Sequence, residues 1–132
     1  MATLNDPPVR ELLEQPNHAV ISTHNKDGSI HNTVVWISAE DGTAAVNSAR
    51  GRKWPTNIER DPRVSVLVYE QGNPYHYVEI RGSATPTREG ADDHINALAK
   101  KYTGQDQFPF RPGEERIKFV IHPDHVRHVE QA

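Results

Sequence analysis

Apolar residues fall mostly into short alternating runs along this chain, and helical spacing is confined to a few segments. Asp6 followed by Pro7 and Pro8 signals a helix start, with Val9, Leu12 and Leu13 as its apolar face and Pro16-Asn17 as its end. His18–His24 has strand character, Lys26–Ser29 is a hairpin turn, and Ile30–Ser38 is rich enough in β-branched residues to be a second strand. Glu40–Thr43 turns the chain into a third strand, Ala44–Ser48. A short helix follows, broken at Asp61-Pro62, then a fourth strand, Arg63–Tyr69. Gln71–Pro74 reads as a loop and Tyr75–Thr85 as a longer fifth strand. Thr87 is expected to cap a helix in which Ile95, Leu98 and Tyr102 recur at spacings of three and four. After an irregular loop, Gly104–Gly113, comes a sixth strand, Arg116–Ile121, which His122-Pro123 bends toward a last extended piece, Val126–Val129. Hairpin-linked strands with few helices predict a mainly β fold, a small antiparallel barrel or sandwich.

Composition narrows the class. The chain has 132 residues, the length of a single domain spanning 1–132. Only 35% of residues are hydrophobic, so the core is thin and part of the apolar surface is expected between subunits. A net charge of -3 argues against general nucleic-acid binding. The absence of cysteine excludes disulfides, thiolate catalysis and Cys-ligated metal centres. Met1–Pro16 is polar and acidic, and no apolar run is long enough for a signal peptide or a membrane span, so a cytoplasmic location with no membrane partner is expected.

Against this acidic background one basic turn stands out. In Asn47-Ser48-Ala49-Arg50-Gly51-Arg52-Lys53, three cations cluster where a helix should begin. Free N–H groups and the positive dipole end already favour an anion there, and Arg and Lys make a phosphate the natural guest. The competing explanation is a solvated surface turn. Dinucleotide glycine fingerprints, phosphate loops and the serine-hydrolase elbow are all missing. His122, His125 and His128 are spaced by three, which on an extended chain points neighbours to opposite faces, so no metal is expected on them. His94, beside Asp92 and Asp93, reads as part of a solvated helix face, and Glu89, Asp92 and Asp93 form no paired-carboxylate pattern. Trp36, Tyr75 and Tyr77 are first of all packing residues on strands, and so are Phe108 and Phe110, although their loop could also serve as a lid or an interface plug.

Taken in order, Asp27-Gly28-Ser29, His31–Trp36, the basic turn, Asn57–Val66 and Asn73–Gly82 resemble the split β-barrel flavin and deazaflavin oxidoreductases related to pyridoxamine 5′-phosphate oxidase. Ala99–Gly104 and Phe108-Pro109 look like the subgroup that uses coenzyme F420. The resemblance covers roughly Leu12 to Val129 and implies a six-stranded antiparallel split barrel, a homodimer, and a cofactor groove at the subunit interface. Carried over by position, Thr33, Val34 and Trp36 would line the ring, and Asn47 and Ser48 would touch the ring or ribityl chain. Arg50, Arg52 and Lys53 would hold the phosphate, with Asn57 nearby and Tyr77 facing the same groove. Where many relatives have a basic residue three positions before Asn57, this chain has Trp54, so the phosphate's main cation is open by one position. The sequence shows no C-terminal substrate-binding extension of the vitamin B6 oxidases, which favours F420-dependent reduction of a small or planar unsaturated substrate. An FMN-dependent oxidase or flavin reductase and a non-catalytic F420 carrier are the alternatives. The proton donor is left open among His31, Tyr75, His76, Tyr77 and water.

Overall fold

The alternation of apolar residues builds one curled antiparallel sheet. In the computed structural model, which describes residues 2–131, the elements are α1 (Pro7–Glu14), β1 (Ala19–His24), β2 (Ile30–Val35), β3 (Ser38–Ala39), β4 (Ala44–Ala49), α2 (Lys53–Arg60), β5 (Arg63–Glu70), β6 (Asn73–Thr87), α3 (Ala91–Thr103) and β7 (Arg116–Glu130). The sheet order is β2-β1-β5-β6-β7-β4-β3. Its two edge strands are separated in the chain only by Trp36 and Ile37. The two edges are therefore forced together, and the sheet must curl into a barrel.

Inward positions follow the strand period of two. Ile21 on β1, Val66 and Val68 on β5, Val78 and Ile80 on β6, and Phe119 and Ile121 on β7 are fully buried in one core cluster. The barrel ends are plugged by short helices. α1 inserts Val9, Leu12 and Leu13 at the end where β1 begins, and α2 inserts Trp54 and Ile58 at the other. α3 lies outside and covers β4 and β7, so β4 is buried along its whole length. The C-terminal turn of α3 also fastens loops. Lys101 Nζ donates to the carbonyls of Leu13 and Ile37, and Tyr102 Oη donates to the Asn17 carbonyl at 2.5 Å while its ring stacks on Trp36. No helix among the described residues is long and apolar enough to cross a membrane.

Several boundaries differ from those expected. The sheet has seven strands rather than six, because the second run breaks at Trp36-Ile37 and restarts as β3 on the far edge. The expected loop 71–74 is a tight turn with β6 starting at Asn73, and the last two extended pieces form a single β7 that passes through Pro123. A bulge between Arg81 and Gly82 absorbs the irregularity there. Thr87 ends β6 instead of capping α3, whose N-cap is Gly90 in the left-handed region at φ 72°.

Gly82 has a steric role at that bulge. A Cβ on it would sit 2.0 Å from the backbone oxygen of His122. Gly82→Ala is expected to destabilise the fold by about 1–3 kcal/mol, because strand backbone rather than a flexible side chain must move. A urea unfolding midpoint equal to that of the wild type would contradict this.

Candidate functional site

A cleft of about 230 Å³ opens where the end of β2, the end of β4, the start of α2 and the outer helix α3 converge. β2 contributes Thr33 and Val34, the break after it contributes Trp36, β4 contributes Asn47 and Ser48, and the turn before α2 contributes Arg52. These are six of the positions expected from the sequence, drawn from segments that the barrel closure brings side by side. Aromatic rings build one wall, with Phe108 standing edge-on to Trp36 at 6.5 Å and the Trp36 ring stacked at 5.3 Å on Tyr102.

The cation cluster divides. Gly51, at φ 94°, makes the turn that sends Arg50 and Arg52 different ways. Arg50 pairs with Glu115 at 3.0 Å, away from the cleft. Arg52 lines the cleft and Lys53 opens α2, and neither has an ion-pair partner among the described residues. The α2 N-terminus carries no side-chain cap, so its first N–H groups are free to meet an anion. Ser48 is 2% exposed, and its Oγ has no hydrogen-bond partner. Such an orphaned hydroxyl on a cleft wall calls for a partner from a bound molecule.

Asn57 and Tyr77 sit elsewhere. The Asn57 amide is buried and donates to Thr23 Oγ1 at 3.1 Å and to Asn25 Oδ1 at 3.0 Å, which ties α2 to β1. Tyr77 lies on β6 opposite Tyr69 and Val129, outside the cleft lining of this chain. Trp54 is a barrel plug packed on Phe119 at 5.1 Å.

Behind the cleft runs a polar chain whose members lie far apart in sequence. Glu114 accepts from Arg116 at 2.9 Å, and Arg116 Nε donates to Asn47 Oδ1 at 3.0 Å. The Asn47 amide then donates to the Ala91 carbonyl at 2.9 Å and faces His94 Nδ1 at 3.1 Å, while His94 Nε2 meets Ser38 Oγ at 2.9 Å. With Oδ1 held by Arg116, the Asn47 NH₂ must be the donor to His94. Donor accounting therefore assigns a neutral imidazole protonated on Nε2. Arg116 is 3% exposed, and its guanidinium covers the Phe108 ring at 4.7 Å. Burial pushes the Glu114 carboxyl up, but hydrogen bonds from the Arg111 N–H and the Arg116 guanidinium outweigh it and hold the group below the usual range. A polar residue in the first turn of a helix, directly before the apolar Ile95, is the available signal for His94, and an Arg opening an alternating strand is that for Arg116. Neither signal is specific.

His94 thus corrects the expectation of a solvated face. Burial lowers its pKa from 6.5 to about 4, with the charge of Lys118 adding to the effect. The folded chain resists the proton that the unfolded chain accepts. The contribution to stability is fully present above about pH 6.5 and is lost as the pH falls toward 4. The expected loss is on the order of 2–3 kcal/mol. Urea midpoints of wild type and His94→Gln at pH 7.5, 5.5 and 4.5 check it. The wild type should lose more stability on acidification, and equal slopes would rule His94 out as the source.

Comparisons with known proteins agree with this architecture. The pyridoxamine 5′-phosphate oxidase family matches residues 6–130. A search of curated proteins finds no match. Among solved structures, an F420 reductase superposes with a TM-score of 0.77 at 23% identity, covering 89% of this chain and 94% of its own. A conserved hypothetical protein from Mycobacterium tuberculosis gives 0.76 at 18% identity, covering 96% and 84%. A putative pyridoxamine 5′-phosphate oxidase from Listeria innocua gives 0.70 at 21% identity, covering 91% and 94%. At these identities the superpositions establish the fold, and the match over residues 6–130 carries the assignment: the chain belongs to the pyridoxamine 5′-phosphate oxidase family.

Proposed function

We propose that this protein is an oxidoreductase that uses coenzyme F420 to reduce a small or planar unsaturated substrate. The observation that carries the reading is the combination, at one cleft, of Arg52 without an ion-pair partner among the described residues, an uncapped helix N-terminus that opens with Lys53, and an orphaned buried hydroxyl. A flavin-type cofactor needs a flat wall for its ring, a polar partner for its ribityl chain and cations for its phosphate. Trp36 and Phe108, Ser48, and Arg52 with Lys53 fit those three needs in turn. Bound there, the cofactor supplies two-electron reducing chemistry, and the protein supplies position, electrostatics and exclusion of water.

In this reading Arg52 and Lys53 hold the phosphate, and Asn47, fixed by Arg116 and His94, presents a rigid edge to the ring. Thr33 and Val34 complete the floor, and Asn57 acts by fixing the helix that carries Lys53. Of the side chains considered as proton donors, His31 is hydrogen-bonded through Nε2 to the cleft residue Thr33 at 3.0 Å. His76 lies at the opposite barrel end, where α1 packs.

A homodimer belongs to the same proposal. Val34 is 62% and Leu67 39% exposed, and both are in register with Val20 between them. This outward apolar row begins beside the cleft and suits burial against a second copy, which would bring Arg50 and Tyr77 of either subunit into consideration. The test is a binding titration of F420 against FMN on the purified protein, combined with sedimentation at micromolar concentration. Saturable, tighter binding of F420 by a dimer is expected. Tighter FMN binding would favour the flavin oxidase or flavin reductase alternative. F420 binding without turnover of enones or quinones would favour a carrier, and a monomer that binds F420 tightly would refute the interface.

A further inference from the structure

At the barrel end opposite the basic turn, strand register brings together three side chains that ligate metals. His76 on β6 stands opposite Glu130 on β7, and Val78, two residues on, stands opposite His128. His76, His128 and Glu130 therefore share one face, His128 being the diagonal neighbour of His76. Val78 on that face is fully buried, so the three groups continue the barrel's inner face past its apolar core and into its mouth. His125 falls on the other face, and so the His122–His125–His128 comb does not converge. Two of the ligating groups here come from outside it.

The geometry points to a divalent first-row transition-metal site formed by His76, His128 and Glu130. The two Nε2 atoms are 2.9 Å apart, and Glu130 Oε2 lies 4.0 Å from His76 Nε2. Two nitrogens each about 2.0–2.1 Å from one ion are about 2.9 Å apart at a right angle and about 3.4 Å apart at the tetrahedral angle. The ligating atoms of all three groups lie within 4.8 Å of one another, and Glu130 is exposed and free to adjust its carboxylate. Orientation of the first ligand is also built in. Glu70 Oε1 lies 3.3 Å from His76 Nδ1, so the Nδ1–H is donated to the carboxylate and the Nε2 lone pair faces His128. This is the carboxylate–histidine arrangement that fixes tautomers at metal centres. Without an ion, His128 donates its Nε2–H to His76; with one, that proton moves to His128 Nδ1.

The surroundings suit a cation. The adjoining cleft of about 610 Å³ is lined by Glu11, Glu70 and Glu130 and by no Lys or Arg. None of these carboxylates pairs with a Lys or Arg among the described residues. Two imidazoles with one carboxylate select zinc, nickel, copper or iron over magnesium or calcium, which prefer all-oxygen sites. An ion here would clamp the start of β6 to the end of β7 beneath α1, a role independent of the basic cleft.

The test is calorimetric titration of tag-free protein with Zn²⁺ at pH 7.5, together with the visible absorption of the Co²⁺ form. One Zn²⁺ per chain is expected, and His128→Ala and Glu130→Gln should each weaken it at least tenfold. Glu70→Gln should weaken it by about ten- to a hundred-fold through loss of ligand orientation. His122→Ala should leave binding unchanged. Glu130 is exposed, so its variant is a readout that does not endanger folding. Absence of saturable Zn²⁺ binding, or binding unaltered by both His128→Ala and Glu130→Gln, would overturn the assignment and leave a His–His hydrogen bond.

Discussion

Replacing Arg52 and Lys53 together with alanine is expected to weaken F420 binding by about ten-fold to several thousand-fold while leaving the apo fold intact. Each charge-assisted hydrogen bond to a phosphate contributes on the order of 1.5–3 kcal/mol, and two neighbouring ones are not additive, which sets that range. Among the described residues the two side chains have no ion-pair partner, so their removal breaks no pair there. Exposed charges add little to stability, and the apo melting temperature should hardly move. Arg50→Ala is the informative control. Its guanidinium is engaged by Glu115, so within one subunit its loss should weaken binding much less. Rising salt should weaken wild-type binding more steeply than that of the double variant, because fewer charges remain to be screened. A folded Arg52→Ala/Lys53→Ala protein with wild-type affinity for F420 would reduce the basic turn to solvated surface.

The second large effect is on the fold. Arg116→Met should destabilise the protein by about 3–5 kcal/mol, because it leaves the Glu114 carboxylate buried without its cation. The Glu114 side chain is only 6% exposed and its pair partner 3%, so water replaces the lost contact poorly. The same change frees Asn47 Oδ1 and removes the cover over Phe108, so cofactor binding should weaken as well. Replacing both members, Arg116→Met with Glu114→Met, should recover much of the stability but not the binding, since no charge is then stranded while Asn47 Oδ1 still lacks its partner. Urea unfolding and F420 titration on the two variants separate these effects. A double variant no more stable than Arg116→Met would mean that the cost lies in packing rather than in the buried charge.

Much of the frame is legible from local pattern. Strand periodicity, the Lys26–Ser29 hairpin turn and the Asp61-Pro62 break are local chemistry, so most strand positions and the placing of α2 follow from the residues themselves. The basic turn is legible for the same reason, since like charges at a helix start need no tertiary information to be noticed. What local pattern could not decide is which groups meet. Arg50 and Arg52 differ by two positions and look equivalent in sequence, yet the φ of Gly51 sends one to Glu115 and the other into the cleft. His94 reads as a solvated helix residue until α3 docks on β4, where Asn47 and Ser38 enclose it. The split of the second strand at Trp36-Ile37 depends on the sheet curling until its two edges meet. His76 and His128 lie far apart in the chain and become neighbours only through the β6–β7 register. Element types, the mainly β class and the charge at the helix start are properties of residues a few positions apart, and so they can be read along the chain. The polar chain behind the cleft and the histidine pair at the barrel mouth depend on long-range strand register and helix docking, and so they exist only in the folded molecule.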